Sequence, residues 1–255
     1  MTRPRTISSQ KNLYFKRWAS LFDSHGIKAH RQCLVSGTKL RREIEKNPGV
    51  SIQEILLPPA CETLENLPHQ ATCFELSKAL FHELDKFGTK EPLLVCETPS
   101  LTTVDLTQAP IGLEVLCPIG DPGNLGALLR SCWAFGVRTV ILLQEAVHPF
   151  HPKVIRASSG AVFQQSLSWG GSLTGLNTPD TLQWITALDL EGTSLSEWKW
   201  PTNVRLLLGE EGTGIPDFRF SGRLRIPQYH PTIPLNVTVA SSIVLYNYHQ
   251  HHCLK

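Results

Sequence analysis

The stretch VRLLLGEEGTGIP, residues 204–216, places an apolar β-strand directly before a glycine-rich turn. From about residue 111 onward, apolar strands alternate with helices, a pattern typical of a parallel sheet covered on both faces. Ligands of such sheets bind beyond the carboxyl ends of the strands, where loops expose backbone groups. The glycine spacing is neither a dinucleotide-binding fingerprint nor a P-loop. The stretch therefore predicts an α/β fold and makes this loop a candidate ligand site, in which Glu210 and Glu211 are either exposed charges or site carboxylates.

A second strand-to-helix junction follows in HPTIPLNVTVASSIVLY, residues 230–246. Its prolines stiffen a loop, and the helix predicted over 235–250 is small and apolar on most of its sides. Such a helix is buried in a core or at an interface. Asn236 lies in the first turn, where the ordinary interpretation is a helix cap.

A third motif, DPGNLGALLRSCWAFG at 121–136, predicts a tight turn followed by a helix. Large apolar residues occupy one face of this helix, and the opposite face carries Asn124, Arg130 and small residues. A face of small residues indicates close packing against another subunit or a ligand. The alternative is that Arg130 simply points into water.

Composition narrows the class of protein. The chain has 255 residues, 41% of them hydrophobic, with no apolar run long enough for a transmembrane helix and no secretory signal at its start. Seven cysteines without a C-x-x-C pair indicate reduced thiols in a cytoplasmic protein and no structural metal site. Near the C-terminus His249, His251, His252 and Cys253 are possible metal ligands, but we expect a mobile tail.

The charge is asymmetric along the chain. Residues 1–46 hold eleven lysines and arginines against three acids, whereas the remainder holds thirteen against nineteen. This indicates either a polyanionic partner or a solvated basic helix face. Residues 11–108 predict a small α/β unit, with a helix that stops at Gly26, a strand within 28–37, and a polar linker at about 100–110.

The three motifs together are more specific than each alone. Asn-x-Gly-x-x-x-Arg at 124–130, Gly-x-Glu-Gly-x-Gly at 209–214 and Leu-Asn-Val-x-Val-Ala at 235–240 resemble the SpoU-type, TrmH-like branch of the SPOUT methyltransferases. The segment KVIRASSGAVF looks like that family's helix between the first two motifs. The resemblance implies a SPOUT domain over 111–255, a parallel sheet tied into a deep trefoil knot. It also implies an N-terminal α/β RNA-binding domain over 1–108.

The resemblance further implies a function. The family transfers a methyl group from S-adenosylmethionine to a ribose 2′-hydroxyl of structured RNA, and the extra N-terminal domain favours rRNA over tRNA. Its members are homodimers through the knotted domain, with no membrane partner and no metal. The implied catalytic residues are Asn124, Arg130, Glu211 and Asn236. The implied cofactor-binding residues are Leu208, Gly209, Gly214, Ile226, Pro227 and Leu235.

Two positions depart from the family pattern. Pro234 stands where a serine is usual, and His230 replaces a glycine. Because proline has neither a hydroxyl nor an N–H, weakened activity or an altered substrate follows as one expectation. The alternative is a non-catalytic RNA-binding paralogue that retains the knot.

Overall fold

The computed structural model describes residues 4–45, 47, 49–61, 71–210, 212–230 and 233–252. The chain forms two compact units, neither of which is continuous in sequence. The first comprises Met1–Ser100 with His148–Phe163, and the second comprises Leu101–Val147 with Gln164–Lys255. The domain boundary at about residues 100–110 stays a prediction. The structure adds that a later segment of the chain, residues 148–163, also belongs to the first unit; this segment is the excursion.

The elements up to residue 100 build a mixed five-stranded sheet with strand order β1-β4-β3-β5-β2. In chain order they are β1 (Arg5–Ile7), α1 (Leu13–Ser20), α2 (Ser24–His30), β2 (Gln32–Val35), α3 (Thr38–Glu45), β3 (Ile52–Leu57), β4 (Thr72–Leu76), α4 (Lys78–Leu84) and β5 (Leu93–Glu97). Trp18 is fully buried, and its indole N–H donates to Glu54 at 2.7 Å. Arg17 also bonds Glu54, so this buried carboxylate is compensated.

The expected helix stop at Gly26 is wrong. A second helix, α2, runs through Gly26 because Asp23 caps it, accepting from the backbone N–H of His25 at 2.6 Å. The strand predicted within 28–37 therefore begins only at Gln32. Glycine is required at position 26 for another reason, since a Cβ there would lie 2.1 Å from the carbonyl oxygen of Ser20. Gly26 therefore allows the backbone of α2 to approach the end of α1 closely.

The second unit is built on a fully parallel seven-stranded sheet, which confirms the predicted α/β class. The elements from residue 101 onward are β6 (Thr102–Thr103), β7 (Leu113–Cys117), α5 (Pro122–Ala134), β8 (Thr139–Leu142), α6 (Pro152–Ala157), β9 (Leu167–Trp169), α7 (Pro179–Leu182), β10 (Ile185–Ser194), β11 (Val204–Leu207), β12 (Gly222–Arg225) and α8 (Val237–His252). Of these, α6 belongs to the first unit. The strand order is β12-β10-β11-β7-β8-β9-β6.

The structure adds a detail at one end of this unit and corrects an expectation at the other. The polar linker contains the edge strand β6, paired with β9. The histidines expected in a mobile tail lie instead in α8, where the ring of His252 packs 4.4 Å from that of Tyr248; Cys253 lies outside the described residues. None of the helices in the described part of the chain combines the length and apolar character needed to cross a membrane.

Candidate active site

A cavity of about 400 Å³ lies beyond the carboxyl ends of β11 and β12, where parallel sheets place their ligands, and beside the irregular middle of β10. Its walls come from three loops and the first turns of α8. The lining residues are Leu188, Asp189, Leu190, Gly209, Glu210, Gly212, Thr213, Gly214, Ile215, Ile226, Gln228, Pro234, Leu235, Val237 and Ala240. The walls are thus mostly apolar, with a few polar groups and exposed backbone.

The glycine-rich turn forms one wall and is closed by its own backbone. Glu210 and Gly214 exchange two backbone hydrogen bonds, at 3.0 and 3.1 Å. Gly212 and Gly214 have φ values of +113° and +73°, in the region that glycine adopts without a steric penalty. The side chain of Glu210 accepts a hydrogen bond from Thr213. The turn therefore presents backbone groups at a fixed position.

The opposite wall comes from an irregularity in β10. The register of β10 on β12 shifts between Leu188 and Thr193, which releases Asp189 from the ladder to line the cavity. Asp189 forms an ion pair with Arg223, which also donates to the carbonyl oxygens of Pro216 and Phe218. Arg223 thereby ties this wall to the segment that follows the glycine-rich turn.

Asn236 and Asn124 meet between α8 and α5. The side-chain oxygen of Asn236 accepts from the backbone N–H groups of Thr238 and Val239, at 2.9 and 3.3 Å, which is the expected cap. Its amide nitrogen donates to the side-chain oxygen of Asn124 at 3.1 Å. Thr238 Oγ1 adds a bond to the backbone carbonyl of Asn124 at 3.2 Å. Asn236 is therefore both a cap and a link between two predicted catalytic positions.

The other predicted catalytic residues are not joined to this pair by any direct contact that the structure describes. Arg130 is exposed on α5 and, among the described residues, has neither a hydrogen-bond nor an ion-pair partner. It lies six residues after Asn124 on the same helix, a rise of about 9 Å. Glu211 lies outside the described residues.

Four of the six predicted cofactor-binding residues line the cavity: Gly209, Gly214, Ile226 and Leu235. Leu208 is instead fully buried, and Pro227 is exposed outside the lining. Sequence reasoning missed the contribution of β10, because strand order cannot be read from local sequence. Asp189 lies five residues before the end of β10, at the register shift, so the rule for carboxyl ends does not indicate it.

Helices α5 and α8 of the same chain pack through small residues, whereas the third motif predicts packing of that face against another subunit or a ligand. Ser131 of α5 and Ser242 of α8 share a hydrogen bond of 2.8 Å, and the rings of Phe135 and Tyr246 lie 5.8 Å apart. The apolar side chains of Trp133 and Ile243 remain 52% and 38% exposed on the same two helices.

The motif order, the parallel sheet and this cavity agree with a known family. The SpoU rRNA Methylase family matches the chain over residues 114–246. The chain belongs to this family. One relative is the 23S rRNA (guanosine-2′-O-)-methyltransferase RlmB of Coxiella burnetii, which is 32% identical over 82% of this chain and 81% of its own length.

Two further comparisons extend over nearly the whole chain. The Ribosomal RNA small subunit methyltransferase G 2 of Syntrophobacter fumaroxidans is 37% identical over 95% of this chain. Because the chain spans only 48% of that relative, the activity in its name cannot be assigned to the matched half. The crystal structure of an AdoMet-bound rRNA methyltransferase from Sinorhizobium meliloti shares the fold of this chain, with a TM-score of 0.77. It is 22% identical and covers 98% of this chain and 99% of its own.

Proposed function

We propose that this protein transfers a methyl group from S-adenosylmethionine to a ribose 2′-hydroxyl of ribosomal RNA. The observation that carries the proposal is the Asn236–Asn124 hydrogen bond beside the cavity, because Asn236 lies between two lining residues, Leu235 and Val237. The names of its relatives support the rRNA substrate. The non-catalytic alternative is less well supported, since the cavity and the asparagine pair are both retained.

The cavity fits the proposed cofactor in size and in chemistry. A volume of about 400 Å³ lies within the range of small-molecule sites. Apolar walls formed by Ile226 and Leu235 suit an adenine ring, and backbone groups near Gly209 suit its polar edge. The carboxylate of Glu210 suits a cationic ligand, whereas that of Asp189 is already paired with Arg223. When bound, S-adenosylmethionine supplies an electrophilic methyl group on a sulfonium sulfur.

The protein's own contribution is alignment of the ribose. Arg130 stays protonated, so we assign it to an RNA phosphate, which a guanidinium binds through two parallel hydrogen bonds. That contact positions the adjacent 2′-hydroxyl and assists loss of its proton to the phosphate or to water. Asn124 and Asn236 orient the hydroxyl, and Glu211 completes the catalytic set. Alignment of this kind contributes several kcal/mol, up to about 10.

The proposal includes three properties of the family. We propose a homodimer through α5 and α8, supported by the exposed apolar side chains of Trp133 and Ile243. We also propose the trefoil knot, supported by the fold that the Sinorhizobium meliloti structure shares, and a cytoplasmic location, supported by the free cysteines among the described residues.

Two measurements test the function. Titration calorimetry with S-adenosylmethionine is expected to show one site per chain. Mapping of 2′-O-methylated nucleotides in rRNA, with and without the protein, is expected to reveal one position that depends on it. Absence of detectable binding at millimolar cofactor would contradict the enzymatic assignment, and an unchanged rRNA map beside a changed tRNA map would contradict the rRNA substrate.

A further inference from the structure

A second cavity, of about 280 Å³, lies within the first unit, and the three motifs do not explain it. It forms where segments distant in sequence meet: the residues before α3 with its first turn, the turn after α4, and the end of α6 with the residues that follow it. Its lining residues are Ser36, Gly37, Leu40, Thr89, Arg156 and Ser159. The cavity therefore depends on the excursion of 148–163 into this unit.

Arg156 supplies the charge of this cavity. Its guanidinium carbon lies 4.6 Å from the centre of the Phe87 ring, and no carboxylate in the described part of the chain pairs with it. An aromatic face restrains the guanidinium plane while its N–H edges stay available for a second partner. Arg156 is thus held in place and ready to bind an oxyanion.

Serine hydroxyl groups add hydrogen-bond donors to this cavity, and hydrogen bonds within the unit restrain one of its walls. The hydroxyls of Ser36 and Ser159 have no hydrogen-bond partner among the described residues. The wall at Thr89 is rigid because its backbone N–H and its hydroxyl both donate to buried Asp85 at 3.0 Å. The side chain of Leu40 adds an apolar surface that suits a sugar.

The charge of the unit favours a polymer of phosphates as the ligand. By composition, the first unit carries 16 lysines and arginines and 11 acids, a formal charge of +5, and the excursion itself contains no acid. We propose that this second cavity binds a backbone phosphodiester of the RNA substrate, with Arg156, Ser36 and Ser159 as donors. The choice of RNA rests on the function proposed above, whereas the anion site rests on the cavity alone.

The test compares Arg156→Gln and Arg156→Lys with Arg31→Gln in the full-length protein. Arg31 is a matched control, since it is an exposed arginine of the same unit that already contacts Glu97 and Ser100. Filter binding uses unmodified ribosomal RNA transcribed in vitro, at several salt concentrations. Arg156→Gln is expected to weaken binding about three- to tenfold and to reduce the slope of log K against log salt by about 1. Arg156→Lys should recover part of the slope, and Arg31→Gln should change neither quantity.

Two readouts separate this proposal from the proposed function. Affinity for S-adenosylmethionine, measured by calorimetry, should be the same in all variants. If the wild-type protein methylates rRNA while Arg156→Gln retains the wild-type RNA affinity and salt slope, the RNA contact is overturned and the function stands. If AMP or inorganic phosphate binds at micromolar concentration and Arg156→Gln abolishes that binding without affecting RNA, the cavity takes a free anion and the RNA assignment is overturned.

Discussion

The side chain of Asn236 donates to that of Asn124 across 112 residues of sequence while its own oxygen caps α8. One side chain therefore fixes the start of the last helix and orients a second polar group beside the cavity. The two roles use different atoms, the oxygen for the cap and the nitrogen for the link. Substitutions can separate them.

Asn236→Ser retains a capping oxygen but is too short to reach Asn124. Because serine and asparagine cap helices about equally well, we expect the free energy of unfolding to change by less than about 0.5 kcal/mol. Methyl transfer should fall at least about tenfold. Asn236→Ala should lose a further ~1 kcal/mol of stability. Urea unfolding and single-turnover methylation measure the two effects, and wild-type turnover in Asn236→Ser would remove Asn236 from the catalytic set.

Arg130→Ala should abolish most activity without affecting stability. Arg130 is exposed and has no described partner, so the described part of the fold loses no contact, whereas a lost oxyanion contact costs roughly 10²–10³-fold in rate. Arg138→Ala, an exposed arginine shortly after the end of the same helix, is the control and should methylate normally. Near-wild-type transfer by Arg130→Ala would refute its role.

Ile243→Glu should convert a dimer into a monomer. Ile243 lies on α8, which packs against α5, and is 38% exposed in the single chain; burying an unpaired carboxylate in an interface is costly. Sedimentation equilibrium of wild type and variant measures the change. Gln250→Glu adds the same charge at an exposed site near the end of α8 and should leave the dimer intact. A wild-type protein that sediments as a monomer would contradict the proposed interface.

Arg205 and Glu114 form an ion pair inside the second unit. Arg205 is 1% exposed, and its Nε lies 2.8 Å from a carboxylate oxygen of Glu114 across the paired strands β11 and β7. Removing one partner leaves a buried charge, so Arg205→Met should destabilise the protein by about 3–5 kcal/mol. The double variant Arg205→Met/Glu114→Leu should recover much of that loss. Equal instability of the single and double variants in urea would argue against a charge penalty.

The first unit should lose stability in mild acid. Burial, with the nearby charges of Lys28 and His151, lowers the pKa of His148 from 6.5 to about 4, and its Nδ1 accepts from the Phe150 N–H at 3.2 Å. Since the unfolded state takes up the proton first, this stability is present above pH 6.5. It is lost as the pH falls from 6.5 to 4, up to about 3 kcal/mol. Urea unfolding between pH 4.5 and 7.5 measures how the free energy of unfolding depends on pH. That dependence should be shallower for His148→Gln than for the wild type, and an identical dependence would contradict the assignment.

The sequence predicts elements with a strong local signal well and edge elements poorly. The strand at 204–207 and the helices at 122–134 and 237–252 carry continuous apolar patterns and lie where expected. Strands β1 and β6 have three and two residues, too few for any period to show. The predicted helix end at Gly26 is wrong because, in sequence alone, a glycine that permits close backbone approach cannot be distinguished from one that ends a helix.

The candidate site likewise combines features that have a local sequence signal with features that depend on the folded sheet. The glycine-rich turn and the Leu235–Asn236 junction are local and could be predicted. The contribution of Asp189 depends on strand order and on a register shift in β10, both of which are properties of the folded sheet. The link from Asn236 to Asn124 likewise follows from packing, although the family resemblance places both residues in one catalytic set.

The excursion of residues 148–163 has a consequence for dissecting this protein. The chain enters the first unit twice, so cutting at one point near residue 100 cannot yield two complete folding units. A fragment beginning at 101 would carry α6 without the segments that it packs on, such as β2. A fragment ending at 100 would lack Arg156 and Ser159. Exchange of the first unit for that of a relative must therefore transplant an internal segment as well.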